Sequence, residues 1–147
     1  MNMKKKLLYI VLTAFVTLAA CDFEVSDNGD LEGYWQLQQT DTLATGGTTD
    51  MRYSGIYWAV QVHLMELRNV QGNTPNILFR FDHSGNHLRI YNPIADSRQV
   101  SDSVISDTST LRPYGIEHLD ETLNVEELSS ERMVLTNESY RFHLRKY

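Results

Sequence analysis

From residue 34 to the C-terminus, apolar and polar residues alternate in short runs that are separated by turn-forming residues. A period of two places successive side chains on opposite faces of a β-strand. In the run 56–67, Trp58, Val60, Val62 and Leu64 share one face, which predicts one long strand with a single buried side. The same criterion predicts strands at 34–39, 77–82, 87–91, 122–128, 132–136 and 139–147, with a short edge strand within 99–105.

Tight turns connect most of these runs, for example at His83-Ser84-Gly85-Asn86. Residues 41–54 are rich in Thr, Gly and Asp and predict a loop, and Asn92-Pro93 is expected to end a strand. No segment keeps an apolar period of 3.6 residues. A meander of seven or eight strands has two unpaired edges unless it closes on itself. The pattern therefore predicts an all-β fold, a single antiparallel up-and-down barrel of seven or eight strands.

The first twenty-one residues have a different pattern. Three lysines at 4–6 precede an uncharged run, 7–20, which is shorter than the roughly 20 apolar residues of a membrane span. The run ends in Leu18-Ala19-Ala20-Cys21, which matches the lipobox of bacterial lipoproteins. We expect a signal peptide at 1–20, acyl chains on Cys21, an acidic flexible tether at 21–30 and a barrel domain at 31–147. Acyl chains then supply the membrane attachment, because each buried CH₂ adds about 0.8 kcal/mol.

The net charge and the single cysteine limit the kinds of partner and chemistry that we expect for this protein. Without the signal peptide, ten basic and nineteen acidic residues remain, a formal charge of −9, which disfavours nucleic acid as a partner. Acylation of Cys21 leaves no thiol for catalysis, a disulfide or metal binding. Two interpretations of the five acids within 22–32 stay open: a charged spacer, or a signal for export to the cell surface.

The inward-facing residues are the candidates for ligand binding. Two alternatives stay open: an open lumen that takes a small apolar molecule, or a core filled by side chains. The candidate lining residues are Trp35, Trp58, Val60, Val62, Phe79, Phe81 and Phe142, with Tyr53, Tyr57 and Tyr114 as candidates for a rim.

Gly33-Tyr34-Trp35, at the start of a hairpin-rich chain, resembles the Gly-x-Trp signature of lipocalins. A hairpin with Phe81 and Gly85 and a turn at Leu128-Ser129 extend the resemblance to lipocalin-like lipoproteins of gut-type Gram-negative anaerobes. The resemblance implies that Trp35 closes the barrel floor and that a basic residue of the last strand, Arg141 or Arg145, packs across it. It implies no ligand, because members of the family do not share one.

Other motifs do not support catalysis. His83 and His87 flank a turn, where exposed histidines are a simpler explanation than a metal site. The stretch 117–121 places a histidine among carboxylates but is expected to be a solvated loop, and no serine lies in a Gly-x-Ser-x-Gly elbow. We therefore expect no enzyme activity, no cofactor and no metal. Thr42 and Ser103 follow aspartates in a pattern that resembles a bacterial O-glycosylation acceptor.

The sequence thus supports two functional hypotheses for a protein of the cell envelope, lipid-anchored to the outer membrane on its periplasmic or surface face. In the first, the barrel is a non-catalytic module that binds a small apolar ligand. In the second, a filled barrel presents residues 41–54 and 92–121 to an envelope protein or a glycan.

Overall fold

The computed structural model describes Met3 and residues 26–96 and 102–147. The predicted signal peptide, Cys21 and most of the tether lie outside these residues, as do residues 97–101. Ten strands form one antiparallel sheet. They are β1 (Gly33–Thr42), β2 (Gly47–Asp50), β3 (Ile56–Gln61), β4 (Leu64–Asn69), β5 (Asn76–Ser84), β6 (His87–Asp96), β7 (Ser103–Val104), β8 (Glu121–Leu128), β9 (Arg132–Thr136) and β10 (Tyr140–Lys146).

Eight of the strands close into a barrel. Their order is β1-β3-β4-β5-β6-β8-β9-β10, and β10 pairs with β1, so each strand of the barrel has a neighbour on both sides. The short strands β2 and β7 extend the ladders of β1 and β6 outside this ring. The prediction of an all-β, antiparallel up-and-down barrel is confirmed.

The barrel has two different ends. Its floor end carries the tight turns between β3 and β4, β5 and β6, and β8 and β9. Its other end, named here the cleft end, carries the longer connections that follow β1, β4 and β6. Three 3-10 helices complete the described chain: Gly29–Leu31 at the floor end, and Thr108–Thr110 and Arg112–Tyr114 at the cleft end. No helix within the described residues is both long enough and apolar enough to span a membrane.

The long strand predicted at 56–67 is wrong, because Val62 and His63 form a two-residue turn that splits it into β3 and β4. Val62 has a positive φ of 54°, and the amide of Asn28 donates to its carbonyl oxygen over 2.7 Å. The turn changes which positions face inward: Leu64 is 41% exposed, whereas Met65 is buried. A hairpin turn with a positive φ at its first residue usually carries Gly, so the sequence held no signal for it.

Two further boundaries differ from the prediction. Residues 41–54 are not all loop, because β1 continues to Thr42 and β2 pairs with it. Asn92 and Pro93 do not end β6, because together they lie opposite Phe79 as a β-bulge in which Asn92 has a φ of 52°. Proline has no N–H to donate to a ladder, and a bulge tolerates it for that reason. Of the predicted edge strand 99–105, the structure describes Ser103–Val104 as β7.

Side chains fill the barrel interior. Most of the predicted inward-facing residues are buried, namely Trp35, Leu37, Trp58, Val60, Phe79, Phe81, Leu88, Ile90 and Phe142. Val125 is half-buried and packs against the core from its edge. Of the two alternatives for the interior, the structure therefore has the filled core rather than an open lumen running through the barrel.

Candidate functional site

Trp35 seals the floor end. Its indole N–H donates to the carbonyl oxygen of Leu31 over 2.9 Å, so the Gly29–Leu31 helix lies across the bottom of the barrel. The ammonium of Lys146 lies 4.7 Å from the centre of the Trp35 ring and donates to the carbonyl of Asp30. A cation over an indole face contributes roughly 0.5–2 kcal/mol. The floor is thus closed by one tryptophan, one lysine and a helical turn.

The basic residue at the floor was predicted to be Arg141 or Arg145, and that prediction is wrong. Lys146 is the β10 residue in register with Trp35, so the two side chains share the inner face. Arg145 precedes it by one position and therefore points outward, opposite Gln36. Arg141 is also on the outer face, where it donates to the carboxylate of Glu126 over 2.8 Å.

Residues 105–117, named here the plug, cover the cleft end. Leu111, Tyr114 and Ile116 are buried among the ends of the strands. The Tyr114 hydroxyl donates to the carbonyl of Pro75 over 2.9 Å and accepts a hydrogen bond from Thr74. Burial raises the pKa of this phenol above its usual value, so the hydroxyl stays protonated as a donor.

A buried carboxylate fixes the C-terminal side of the plug. Glu121 is only 5% exposed and accepts from the backbone N–H groups of Glu117 and His118 at 2.8 and 3.0 Å. Its second oxygen accepts from the side-chain amide of Asn137 at 2.6 Å. The expectation that 117–121 is a solvated loop is therefore wrong for Glu121. This residue ties the plug to the turn between β9 and β10.

Between the plug and the strands lies a solvent-facing cleft of about 190 Å³. Its inner surface is apolar, because Leu37 and Phe142 are buried there and Met51 and Tyr140 flank them. Its outer edge carries the exposed guanidinium of Arg112. The complete lining is Leu37, Thr40, Thr42, Thr49, Met51, Arg112, Pro113, Tyr114, Gly115, Tyr140 and Phe142.

Gly115 shapes the wall of the cleft. Its φ is +75°, and a Cβ at this position would lie 2.8 Å from the ring of Phe142. Any other residue would displace either the plug or the Phe142 ring, because carbon atoms do not approach so closely. The backbone of the plug and the floor of the cleft are therefore in direct contact.

Trp58 lies behind the floor of this cleft. Its ring packs against Phe142 with 5.4 Å between the centroids. The side chain is fully buried, and among the described residues no acceptor lies within hydrogen-bond distance of its indole N–H. Most buried polar groups are paired, so an unpaired indole N–H close to a cleft is an unusual feature of this site.

The predicted ligand residues do not come together at one site. Phe142 lines the cleft, whereas Val60, Phe79 and Phe81 belong to the filled core. Trp35 is in the sealed floor and Val62 is in the turn between β3 and β4. Tyr57 points outward from the barrel, where its ring stacks on Tyr34 with 4.8 Å between the centroids.

Several residues of the cleft were not predicted from the sequence. Arg112, Gly115 and Tyr140 carry no motif, and Met51 falls in a segment predicted to be loop. The apolar positions Leu111 and Tyr114 were the available signal, since buried apolar residues in a polar connection indicate a segment that packs back onto the core.

The two candidate glycosylation sites lie in different surroundings. Thr42 is half-buried at the end of β1 and contributes to the cleft, whereas Ser103 is exposed on β7. Within residues 26–96 and 102–147, no three histidine, cysteine or carboxylate side chains are grouped so that they could hold a metal ion.

A closed eight-stranded meander with a tryptophan-sealed floor and a cleft at the opposite end defines a barrel of the lipocalin class. Residues 16–147 match the model of the lipocalin-like domain family, and the chain belongs to that family. The resemblance drawn from Gly33-Tyr34-Trp35 is thereby confirmed.

Two solved structures share the fold. A lipocalin-like protein from Bacteroides uniformis ATCC 8492 is 20% identical, with a TM-score of 0.61 over 81% of this chain and 100% of that one. An uncharacterized protein from Bacteroides eggerthii DSM 20697 is 18% identical, with a TM-score of 0.53 over 79% and 98% of the two chains. A comparison with curated proteins gives no match.

Proposed function

We propose that this protein is a non-catalytic binding module that holds a small amphipathic molecule in the cleft between the plug and β1, β2 and β10. The observation that carries the proposal is the cleft itself, which has a buried apolar floor and one exposed cation at its edge. The floor suits a hydrocarbon portion, and Arg112 suits a carboxylate or another anionic head group.

The size of the cleft limits the ligand. Its volume of about 190 Å³ is below the range of roughly 300–1,000 Å³ that is usual for ligand pockets. A short acyl chain or a single small ring fits such a space. A longer chain requires the Phe142 ring to turn, which would open the cleft towards Trp58 and bring the hydrocarbon against its indole ring.

Catalysis is not part of the proposal. The described residues that line the cleft include no carboxylate, imidazole or thiol side chain. The threonine and tyrosine hydroxyls of the lining would need such a group beside them to be activated as nucleophiles. The hydroxyl and guanidinium groups that are present can bind and orient a ligand.

We also propose that acyl chains on Cys21 anchor the protein in the outer membrane. The lipobox at 18–21 supports the anchor. The described chain enters the fold at the floor end, where Asn28 contacts the turn at Val62. A tether attached there would direct the cleft end away from the bilayer, towards dissolved ligands.

Tryptophan fluorescence of the full chain tests the binding proposal. Straight-chain carboxylates from hexanoate to dodecanoate should change the emission saturably, because Phe142 couples the cleft to Trp58. Alkylamines of the same length should bind more weakly. The substitution Arg112→Gln should reduce carboxylate affinity roughly two- to five-fold, as expected for an exposed ion pair.

Arg80→Gln is the matched control, because Arg80 is an exposed arginine on β5 that does not line the cleft. It should leave the affinity unchanged. No saturable response to any carboxylate, or equal affinity for carboxylate and amine, would contradict the proposal. The competing hypothesis, a filled barrel that binds an envelope protein or glycan through its outer segments, predicts no response of either tryptophan to small ligands.

A further inference from the structure

On the outer face of the barrel, two arginines lie directly opposite each other across the β9–β10 ladder. Arg132 and Arg145 are paired in register. The guanidinium of Arg132 lies 3.4 Å from the carboxylate of Glu127, and both of these side chains are largely exposed. Among the described residues, no carboxylate lies within salt-bridge distance of Arg145.

Like charges directly opposite each other in a sheet destabilise it. An adjacent pair of arginines is all the more unusual in a chain with a formal charge of −6, where acidic residues outnumber basic ones. Arg52, the third arginine in the neighbourhood, is already neutralised by a two-pronged contact with Asp50. Arg145 therefore presents an unneutralised positive charge on an acidic protein, next to Arg132, whose one ion pair is with the exposed Glu127.

These two arginines face a groove of about 450 Å³. The groove crosses the outer surface of β2, β1, β10 and β9, where a β-bulge between Leu37 and Gln39 bends β1. Its other walls carry the amides of Gln38 and Gln39, the hydroxyl of Thr48, the imidazole of His143 and the carboxylate of Asp50, which is paired with Arg52. The groove thus combines cations with several neutral hydrogen-bonding groups.

An aromatic surface continues the groove beyond Arg145. A second recess of about 230 Å³ is shared by Arg145, Gln36 and Tyr147. The Tyr147 side chain is 83% exposed, and its ring lies edge-on to the stacked rings of Tyr34 and Tyr57. An exposed ring held by neighbours offers an apolar face with little conformational entropy to lose on binding.

From this arrangement we propose that the outer groove binds an acidic saccharide. Arg132 and Arg145 would hold the carboxylate of a sugar acid, because guanidinium groups match carboxylates with paired hydrogen bonds. The amides of Gln38 and Gln39 would bind ring hydroxyls, and the Tyr147 ring would pack against the C–H face of a neighbouring sugar. This site shares no lining residue with the cleft, which is bounded by the plug and by inner-face residues of β1 and β10.

Other anionic partners fit the groove less well. A free phosphate would occupy a small part of 450 Å³ and would leave the amides and the aromatic ring without contacts. A nucleic acid or an anionic membrane presents phosphates over a surface wider than the groove, where the further arginine, Arg52, is already paired with Asp50.

Calorimetric titration of the full chain with trigalacturonate tests the proposal, with the neutral galactose trisaccharide as the comparison ligand. A polyoxyethylene detergent keeps sugar head groups out of the sample. We expect saturable binding of the acidic trisaccharide and at least ten-fold weaker binding of the neutral one. Arg145→Gln and Arg132→Gln should each weaken acidic binding at least five-fold, and Arg80→Gln should not change it.

A second readout separates lost binding from lost folding. Removal of one of two like charges relieves repulsion. Arg145→Gln should therefore raise the urea midpoint of unfolding while it weakens the binding of trigalacturonate. Absence of saturable binding, an equal loss in Arg80→Gln, or full displacement by equimolar inorganic phosphate would overturn the proposal. Alkyl carboxylates bound in the cleft should not compete with trigalacturonate, so failure of either site is distinguishable from failure of the other.

Discussion

Glu121 offers the sharpest test of how the cleft end is built. Its carboxylate receives three hydrogen bonds, from the backbone N–H groups of Glu117 and His118 and from the amide of Asn137. The same Asn137 amide also donates to the carbonyl of Gly115, which lies against the floor of the cleft. Loss of the carboxylate should therefore weaken the barrel and loosen the plug together.

The size of the effect follows from these contacts. A hydrogen bond to a charged group contributes roughly 1.5–3 kcal/mol, and the bonds on one carboxylate are not additive. We expect Glu121→Ala to lower the free energy of unfolding by about 3 kcal/mol, because three donors lose their acceptor. Glu121→Gln should lose about half as much, since its carbonyl still accepts from the backbone while its amide opposes the donor of Asn137.

Urea unfolding followed by tryptophan emission measures this loss. For a typical urea slope of about 2 kcal/mol/M, Glu121→Ala should lower the midpoint by about 1.5 M. Glu138→Gln, at an exposed position on the next turn, is the control and should stay within about 0.5 kcal/mol of the parent. A loss below about 1 kcal/mol in Glu121→Ala, or equal losses in the Ala and Gln variants, would refute the reasoning.

Three further predictions test other parts of the structure by the same unfolding assay. Lys146→Met should lower the free energy of unfolding by about 1 kcal/mol, because the indole at the floor loses its cation, whereas Arg145→Met should not lower it. Gly115→Ala should lower the free energy of unfolding by about 2 kcal/mol or more, since its Cβ would overlap the Phe142 ring on the cleft floor. Gly85→Ala is the control, because the space around Gly85 is open. It should lose only the roughly 1 kcal/mol that a left-handed backbone costs an alanine. A hydrogen bond from His143 holds the pKa of the Asp41 carboxyl below its usual value. The stability that this carboxylate contributes is therefore complete above the pKa of Asp41 in the unfolded chain. It is lost as the pH falls through the pKa of Asp41 in the folded protein. The difference in urea midpoint between the parent and Asp41→Asn should therefore shrink as the pH falls below the pKa of an unfolded aspartate, and a difference that stays constant there would contradict this assignment.

The fold followed from the sequence wherever alternation and turn chemistry agreed. The hairpin at Gly85 and the inward positions of Trp58 and Phe79 rested on local rules, and the structure has both. The rules failed at Val62, where a non-glycine residue adopts a positive φ in an uninterrupted apolar alternation. They also failed at Pro93, because the bulge that accommodates a proline is decided by pairing with the opposite strand.

The site was harder to predict because it depends on contacts between distant segments. Alternation with the inward-facing Phe142 places Lys146 on the inner face and Arg145 on the outer face, whereas the family resemblance pointed to an arginine. That Lys146 lies over Trp35 depends on the register between β1 and β10. The burial of Glu121 likewise depends on the turn between β9 and β10, which brings Asn137 against it. Periodicity within one strand carries no information on such pairings.

Binding in the cleft is the central claim, and the two indole N–H signals in a ¹H–¹⁵N spectrum test it most directly. The N–H of Trp35 is bonded to Leu31 in the sealed floor, whereas the N–H of Trp58 has no acceptor among the described residues and lies behind Phe142. On titration with decanoate, we predict that the Trp58 signal shifts saturably and that the Trp35 signal stays in place. A spectrum in which neither signal moves, or in which Trp35 alone moves, would contradict binding at this cleft.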